Sequence, residues 1–350
     1  MASLLDRKLL VLTGKGGVGK TTVSAALGLL AADRGLRTIV VEMGEQRRLA
    51  ELFGVRSEDT DAVEAPGTET ELRQNLWSIS IDPDRALLEW LQSLGGRVSG
   101  RVLASSGTFQ YFAAAAPGAK ELISMMKIWR LTESRTGSRQ GGRKRSGGYD
   151  LVILDAPATG HALGMLHSPQ TFGAIARVGP IASQTKQVGE LLSDPARSAY
   201  LAVALPTEMA VTEALELQDG LRQQIDRSLQ AVIVNGTLPR RFSAAELARI
   251  DGLNGVTPAG ESDRPDRGEQ KGRGQQRSAG DEPGPSDSVT RSAALAAHAV
   301  HDRANFQHNQ LARLRRRDFE VHSLPFLFVP EVDLAAIEQL SGHLAKWVDA

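Results

Sequence analysis

The chain has 350 residues, 41% of them hydrophobic, and its 41 basic residues balance its 41 acidic ones. That is enough apolar material for one large or two small domains, and the neutral total argues against a general nucleic-acid or membrane-surface binder. There is no cysteine, which excludes disulfides, zinc–thiolate sites, thiol redox chemistry and thiolate capture of a soft metalloid.

No apolar run is long enough to span a bilayer, so stable membrane insertion is not expected. Residues 8–12, Lys-Leu-Leu-Val-Leu, lead straight into a glycine loop. They read as a first core strand rather than a leader, and the expected location is the cytoplasm. Residues 22–33 form a small-residue helix that ends near Gly35, and 38–42 a short apolar strand. Leu76–Ile81 alternates as a further strand.

Residues 85–131 read as mostly helical, with breaks at Gly95-Gly96 and Pro117-Gly118. Residues 134–148 are a flexible Gly/Ser/Arg loop whose Arg143-Lys144-Arg145 run reads as solvated. The apolar run 151–154 ends in Asp155, the pattern of a buried central strand. A helical excursion over 160–194 and strands at 200–205 and 231–235 follow, the last two separated by an amphipathic helix at 208–227.

From 255 to 288 the chain carries Gly, Pro, Ser, Asp, Arg and Gln but no aromatic residue, Leu or Ile. Such a stretch cannot bury enough surface to offset its ordering entropy, and it reads as a disordered insertion. A long helix at 289–316, a short segment at 319–323, the apolar run 326–329 and a last helix at 333–348 complete the chain.

Strands alternating with helices imply an α/β fold, a doubly wound and mostly parallel sheet covered on both faces. The whole chain reads as one domain, with helical insertions at 85–133 and 160–198.

The pattern Gly-x4-Gly-Lys-Thr is met by Gly14, Gly19, Lys20 and Thr21, in the order strand, loop, helix. Glycine backbone wraps closely round phosphates with its N–H groups inward, and the helix start adds its positive dipole end. Gly14, Lys15, Gly16, Gly17, Val18, Gly19, Lys20, Thr21 and Thr22 therefore read as a P-loop for ATP and Mg2+. Lys20 reaches the β- and γ-phosphates, and Thr21 ligates the metal together with Asp155. A second loop lysine, Lys15, marks the deviant Walker A class, in which it reaches the nucleotide of a dimer partner.

Residues 155–163, Asp-Ala-Pro-Ala-Thr-Gly-His-Ala-Leu, form a second motif. An aspartate closing a buried strand sits where open α/β sheets bind ligands. With the Lys15 loop, this resembles the ArsA family of ATPases. The resemblance extends to residues 206–213 (Pro-Thr-Glu-Met-Ala-Val-Thr-Glu), to Pro117-Gly118-Ala119-Lys120-Glu121-Leu122, and to Asn235 in the position of an adenine-reading asparagine. It also covers 325–331, an adenine-side loop that includes Pro330. The resemblance implies a dimeric ATPase, as a homodimer or as a heterodimer with a paralogue, that switches with nucleotide state and serves a hydrophobic protein client. Met125, Met126, Ile128, Trp129, Met165 and Leu166 lie in the segments where relatives build a client groove.

The chain departs from the family in one place that bears on catalysis. Relatives carry Asp-Pro-Ala-His after the second strand, and that aspartate positions the attacking water. Here Gly44 falls on the aspartate and Glu45 on the proline. Glu42 or Glu45 is the available substitute, so ATP binding is expected to survive and hydrolysis to be slow or to depend on a partner subunit. Asp82-Pro83 follows a different strand and reads as a helix cap. Two other functions compete: a non-hydrolysing regulatory subunit of a heterodimer, and a positioning ATPase of the MinD/ParA type. The Thr159-Gly160-His161 motif and a last helix without a basic face favour the ArsA reading over the latter.

Overall fold

The computed structural model describes residues 4–44, 47–55, 67–94, 118–133, 148–175, 180–253 and 285–349. Gly95, Gly96, Pro117, the Arg143-Lys144-Arg145 run and nearly all of 255–288 lie outside them. The chain forms two compact units, Met1–Thr237 with Gln310–Ala350, and Leu238–Asn309.

The first unit is built on eight strands: β1 (Leu9–Thr13), β2 (Thr38–Met43), β3 (Thr70–Arg73), β4 (Leu76–Ile81), β5 (Leu151–Asp155), β6 (Ser198–Ala204), β7 (Ala231–Thr237) and β8 (Glu320–Pro325). They lie in the order β3-β4-β2-β5-β1-β6-β7-β8. Every pairing is parallel except that of β3 with β4. The central strands are apolar on both faces because helices cover both: β1, β5 and β6 are buried along their whole length. β3, with the sequence Thr-Glu-Leu-Arg, was not legible from the sequence. It is a four-residue edge strand with an irregular register, and only Leu72 turns inward.

The helices of this unit are α1 (Lys20–Asp33), α2 (Arg48–Leu52), α3 (Pro83–Leu94), α4 (Ala119–Thr132), α5 (Thr159–Ile175), α6 (Pro180–Ser193), α7 (Glu208–Ile225) and α10 (Leu334–Val348). Two of them start where side chains dictate. The Asp82 carboxylate accepts the Arg85 N–H at 2.7 Å, which caps α3 as the sequence suggests. Asp333 accepts the Ala336 N–H at 2.9 Å and caps α10.

The second unit holds α8 (Ala244–Leu253) and most of α9 (Pro285–Leu314), which starts four residues before the expected 289. A reciprocal Ser243–Glu246 box starts α8: Ser243 N donates to Glu246 at 2.8 Å, and Glu246 N to the Ser243 hydroxyl at 3.3 Å.

α1 is buried almost all round, from Val23 to Ala32, because its small residues let it press against the sheet. Gly28 is the point of closest approach. A Cβ there would lie 2.8 Å from Val40 Cγ2 and 3.1 Å from Leu76 Cδ1. Gly28→Leu should therefore cost about 1–3 kcal/mol through overpacking, although it removes a helix-weakening glycine. Urea unfolding checks this: the midpoint should fall with the slope unchanged.

Candidate functional site

The residues that carry the chemistry converge at the carboxyl edge of the sheet, where β1 lies between β5 and β6. The chain leaves β1 toward β2 on one side and reaches β6 on the other, and such a reversal opens a crevice at the strand ends. The loop 14–19 fills that edge, and α1 begins at Lys20.

Two glycines are fixed by close approach. Gly14 has φ +149, and a Cβ on it would meet the Val203 carbonyl oxygen at 2.1 Å. Gly19 has φ +89, and a Cβ would meet Asn235 Nδ2 at 2.4 Å. That amide donates to the Val18 carbonyl at 3.0 Å, so Asn235 pins the loop from β7. Gly16 and Gly17, by contrast, face open space.

The Lys20 ammonium is ringed by loop carbonyls and donates to Gly14 and Lys15, both at 3.1 Å. Burial lowers its pKa, Asp155 opposes that shift, and Arg48 adds to it. The Thr21 hydroxyl donates to Asp155 Oδ2 at 2.6 Å. Asp155 Oδ1 is buried with no hydrogen-bond partner, and burial raises the pKa of this carboxyl against the pull of Thr21, Lys20 and Arg48. A hydroxyl and a carboxylate aimed at one point, with one buried oxygen unsatisfied, are a hard-oxygen donor set that fits Mg2+. Thr13 ties the end of β1 to the second motif by donating to the Pro157 carbonyl at 2.9 Å.

A cleft of about 870 Å³ opens in front of the loop, lined by Gly17, Gly19, Lys20 to Thr22, Arg48, Glu51 to Gly54, and residues 331–334. That volume is typical of sites for small molecules and cofactors. Pro330 is exposed and does not line the cleft, whereas its neighbours Glu331 and Val332 do. Arg48, Glu51 and Phe53 were not singled out from the sequence. The available signal was the Arg47-Arg48 pair, which begins four residues after the end of the second strand.

Lys15, Gly44 and Glu42 make contacts of their own. Lys15 turns toward α7, where its ammonium pairs with Glu213 at 2.8 Å and lies against the Met209 sulfur. Gly44 has φ +110, which strains any side chain at that position, and its N–H donates to the Ile81 carbonyl at 2.9 Å. Glu42 pairs in register with Asp155 across β2 and β5, yet its carboxylate accepts the Leu49 N–H at 3.2 Å and caps α2. It lines a second, small cavity with Ser78 and Ser80. Burial, reinforced by Asp155, pushes its pKa up to about 7 against the backbone hydrogen bonds from α2. Glu45 lies outside the described residues.

The residues considered for a client groove pack inward. Met125, Met126, Ile128, Met165 and Leu166 are all buried in the core of the chain, and Trp129 packs against it. In this conformation their soft side chains fill the chain's own core.

Residues 7–178 match a family model described as anion-transporting ATPase. The chain is 30% identical to the ATPase BagA of Mycobacterium tuberculosis, over 69% of this chain and 68% of that one. It is 23% identical to the ATPase GET3C of Arabidopsis thaliana over 71% and 72% of the two chains. It is 27% identical to the ATPase get3 of Botryotinia fuckeliana over 64% and 60%.

The raised pKa of Glu42 has a consequence for stability. The folded state binds this proton more tightly than the unfolded state, so its contribution is fully present below pH 4.5 and lost as pH rises through about 7. Between pH 5 and pH 8 the nucleotide-free chain should lose about 2–3 kcal/mol that Glu42→Gln does not lose. Urea unfolding of both proteins at the two pH values, without added metal, measures the difference.

Proposed function

The chain belongs to the ArsA family of ATPases, and from that premise we propose that it is a dimer-dependent ATP switch with slow turnover. The observation that carries this reading is the Thr21–Asp155 contact beside the glycine loop, with Lys20 next to it. In this reading Lys20 holds the β- and γ-phosphates, the loop N–H groups cradle them, and Thr21 and Asp155 hold Mg2+. When bound, the metal would neutralise phosphate charge. Asn235, at the foot of the loop, would trade its bond to Val18 for adenine, beside the 325–331 segment.

Lys15 supplies the dimer dependence. Its partner Glu213 lies on the same chain, and in this reading that ion pair stores Lys15 until a second subunit presents its nucleotide. The second subunit is another copy or a paralogue. Both partners are partly exposed, so the pair is weak and easily exchanged for phosphate.

Slow turnover follows from β2 and the segment after it. Gly44 stands where relatives carry a carboxylate, and Glu42, the described substitute, is engaged as the cap of α2. That engagement also favours a second reading, a subunit that binds ATP and leaves hydrolysis to an active paralogue. A hydrophobic protein client fits the family, and Met125, Met126, Ile128, Met165 and Leu166 would have to leave the core to contact it. No described helix is long and apolar enough to cross a membrane.

Mass in solution and ATP hydrolysis, measured together, test the proposal. With Mg-ATP the chain, alone or mixed with a paralogue from the same genome, should dimerise. Lys15→Ala should abolish that step, and Glu213→Gln should promote it. A chain that stays monomeric in both mixtures, or a Lys15→Ala variant that dimerises as the wild type does, contradicts the role given to Lys15. Turnover unchanged in a Glu42→Gln, Glu45→Gln double variant would exclude a glutamate as the substitute base.

A further inference from the structure

Arg48 is the first residue of α2 and lines the cleft beside Gly17, Lys20 and Thr21. It is exposed, and among the described residues its guanidinium has no hydrogen-bond or ion-pair partner. Its charge is nevertheless felt at Lys20, Asp155 and Glu42, so it lies within reach of the site's other charged groups. Its backbone is held in place as well. Glu42 on β2 anchors the first turn of α2 through Leu49 N–H, and Gly44, between the two, is tied to the Ile81 carbonyl of β4. The acidic residues that line the cleft are Glu51, on α2 with Arg48, and Glu331 and Asp333, of which Asp333 is engaged as the cap of α10. Lys20 and Arg48 are the basic residues that line it among the described residues.

We propose that Arg48 recognises the γ-phosphate in cis, as a cation built into the segment that follows β2, and so makes the site discriminate ATP from ADP. The inference rests on the nucleotide reading above and deepens it. A guanidinium cannot activate water as a carboxylate can, but it matches the terminal phosphate bidentately and stabilises its charge. Contact at this position would also tie the path of α2 to the presence of the γ-phosphate, because α2 and Arg48 move together. The segment would then still report nucleotide state although Gly44 carries no side chain.

Calorimetric titration of Mg-ADP and of the Mg complex of the β,γ-imido analogue of ATP tests the assignment on wild type, Arg48→Ala and Arg48→Lys. Wild type should bind both nucleotides. Arg48→Ala should weaken the triphosphate analogue about tenfold and leave ADP within about twofold, as expected for one charge-assisted contact. Arg48→Lys should fall between the two. A thermal melt at the wild-type midpoint should accompany Arg48→Ala, because the side chain has no structural partner among the described residues. Equal weakening of both nucleotides, or no change in either, overturns the assignment while leaving the nucleotide site intact. A wild-type chain that binds neither nucleotide overturns the reading of the cleft, and the assignment with it.

Discussion

The Thr21–Asp155 contact joins the first turn of α1 to the end of β5, and much of the molecule is arranged so that it can form. β1 must run beside β5 to bring the two residues level, as it does with Leu12 opposite Asp155. α1 must lie flat on the sheet for Thr21 to face that aspartate, which its small residues and Gly28 permit. The loop must fold tightly enough to return Lys20 over its own carbonyls, which Gly14 and Gly19 allow where Val203 and Asn235 press against them. The fold is thus a device for holding one hydroxyl, one carboxylate and one ammonium at the mouth of a parallel sheet. Desolvation there strengthens each electrostatic contact, and the second aspartate oxygen is buried without a hydrogen-bond partner among the described residues.

The parts of this arrangement governed by local chemistry were legible in the sequence. Residues 14–22 carry their own geometry, because glycine spacing and a following helix suffice to define a phosphate loop. Asp155 ends a fully apolar run, which only a central strand tolerates. Asp82 announces a helix start through a carboxylate three residues ahead of a free N–H, and that bond forms. What was not legible depends on residues far apart in the chain. Lys15 and Glu213 are separated by 198 positions, so no pattern around Lys15 shows that it pairs within its own chain. Asn235 on the Val18 carbonyl is a meeting of the same kind. The methionines near 125 and 165 have the same composition whether they face a groove or the core, and only packing decides that they are buried. Arg48 is read as one surface charge among many until α2 places it in the cleft.

Charge placement relates binding to turnover. Lys20 and Arg48 line the cleft, and Lys15 pairs with Glu213 of α7. Cations are thus well supplied for an anionic ligand, whereas the one described carboxylate on β2 serves as a helix cap. Such a balance favours occupancy over rapid hydrolysis, since phosphates are stabilised by positive charge while water activation needs a free base in place. In the proposed reading the same balance suits a protein whose nucleotide state is read by a partner, since a long-lived bound state would be the signal.

The central claim is that the glycine loop and Lys20 hold the phosphates of ATP. Equilibrium titration of Mg-ATP into wild type and Lys20→Ala tests it most directly. The account predicts saturable one-to-one binding by wild type and affinity weaker by at least about tenfold in the variant, because a desolvated ammonium–phosphate contact is lost. Equal affinity in the two proteins, or no binding by wild type, would contradict it.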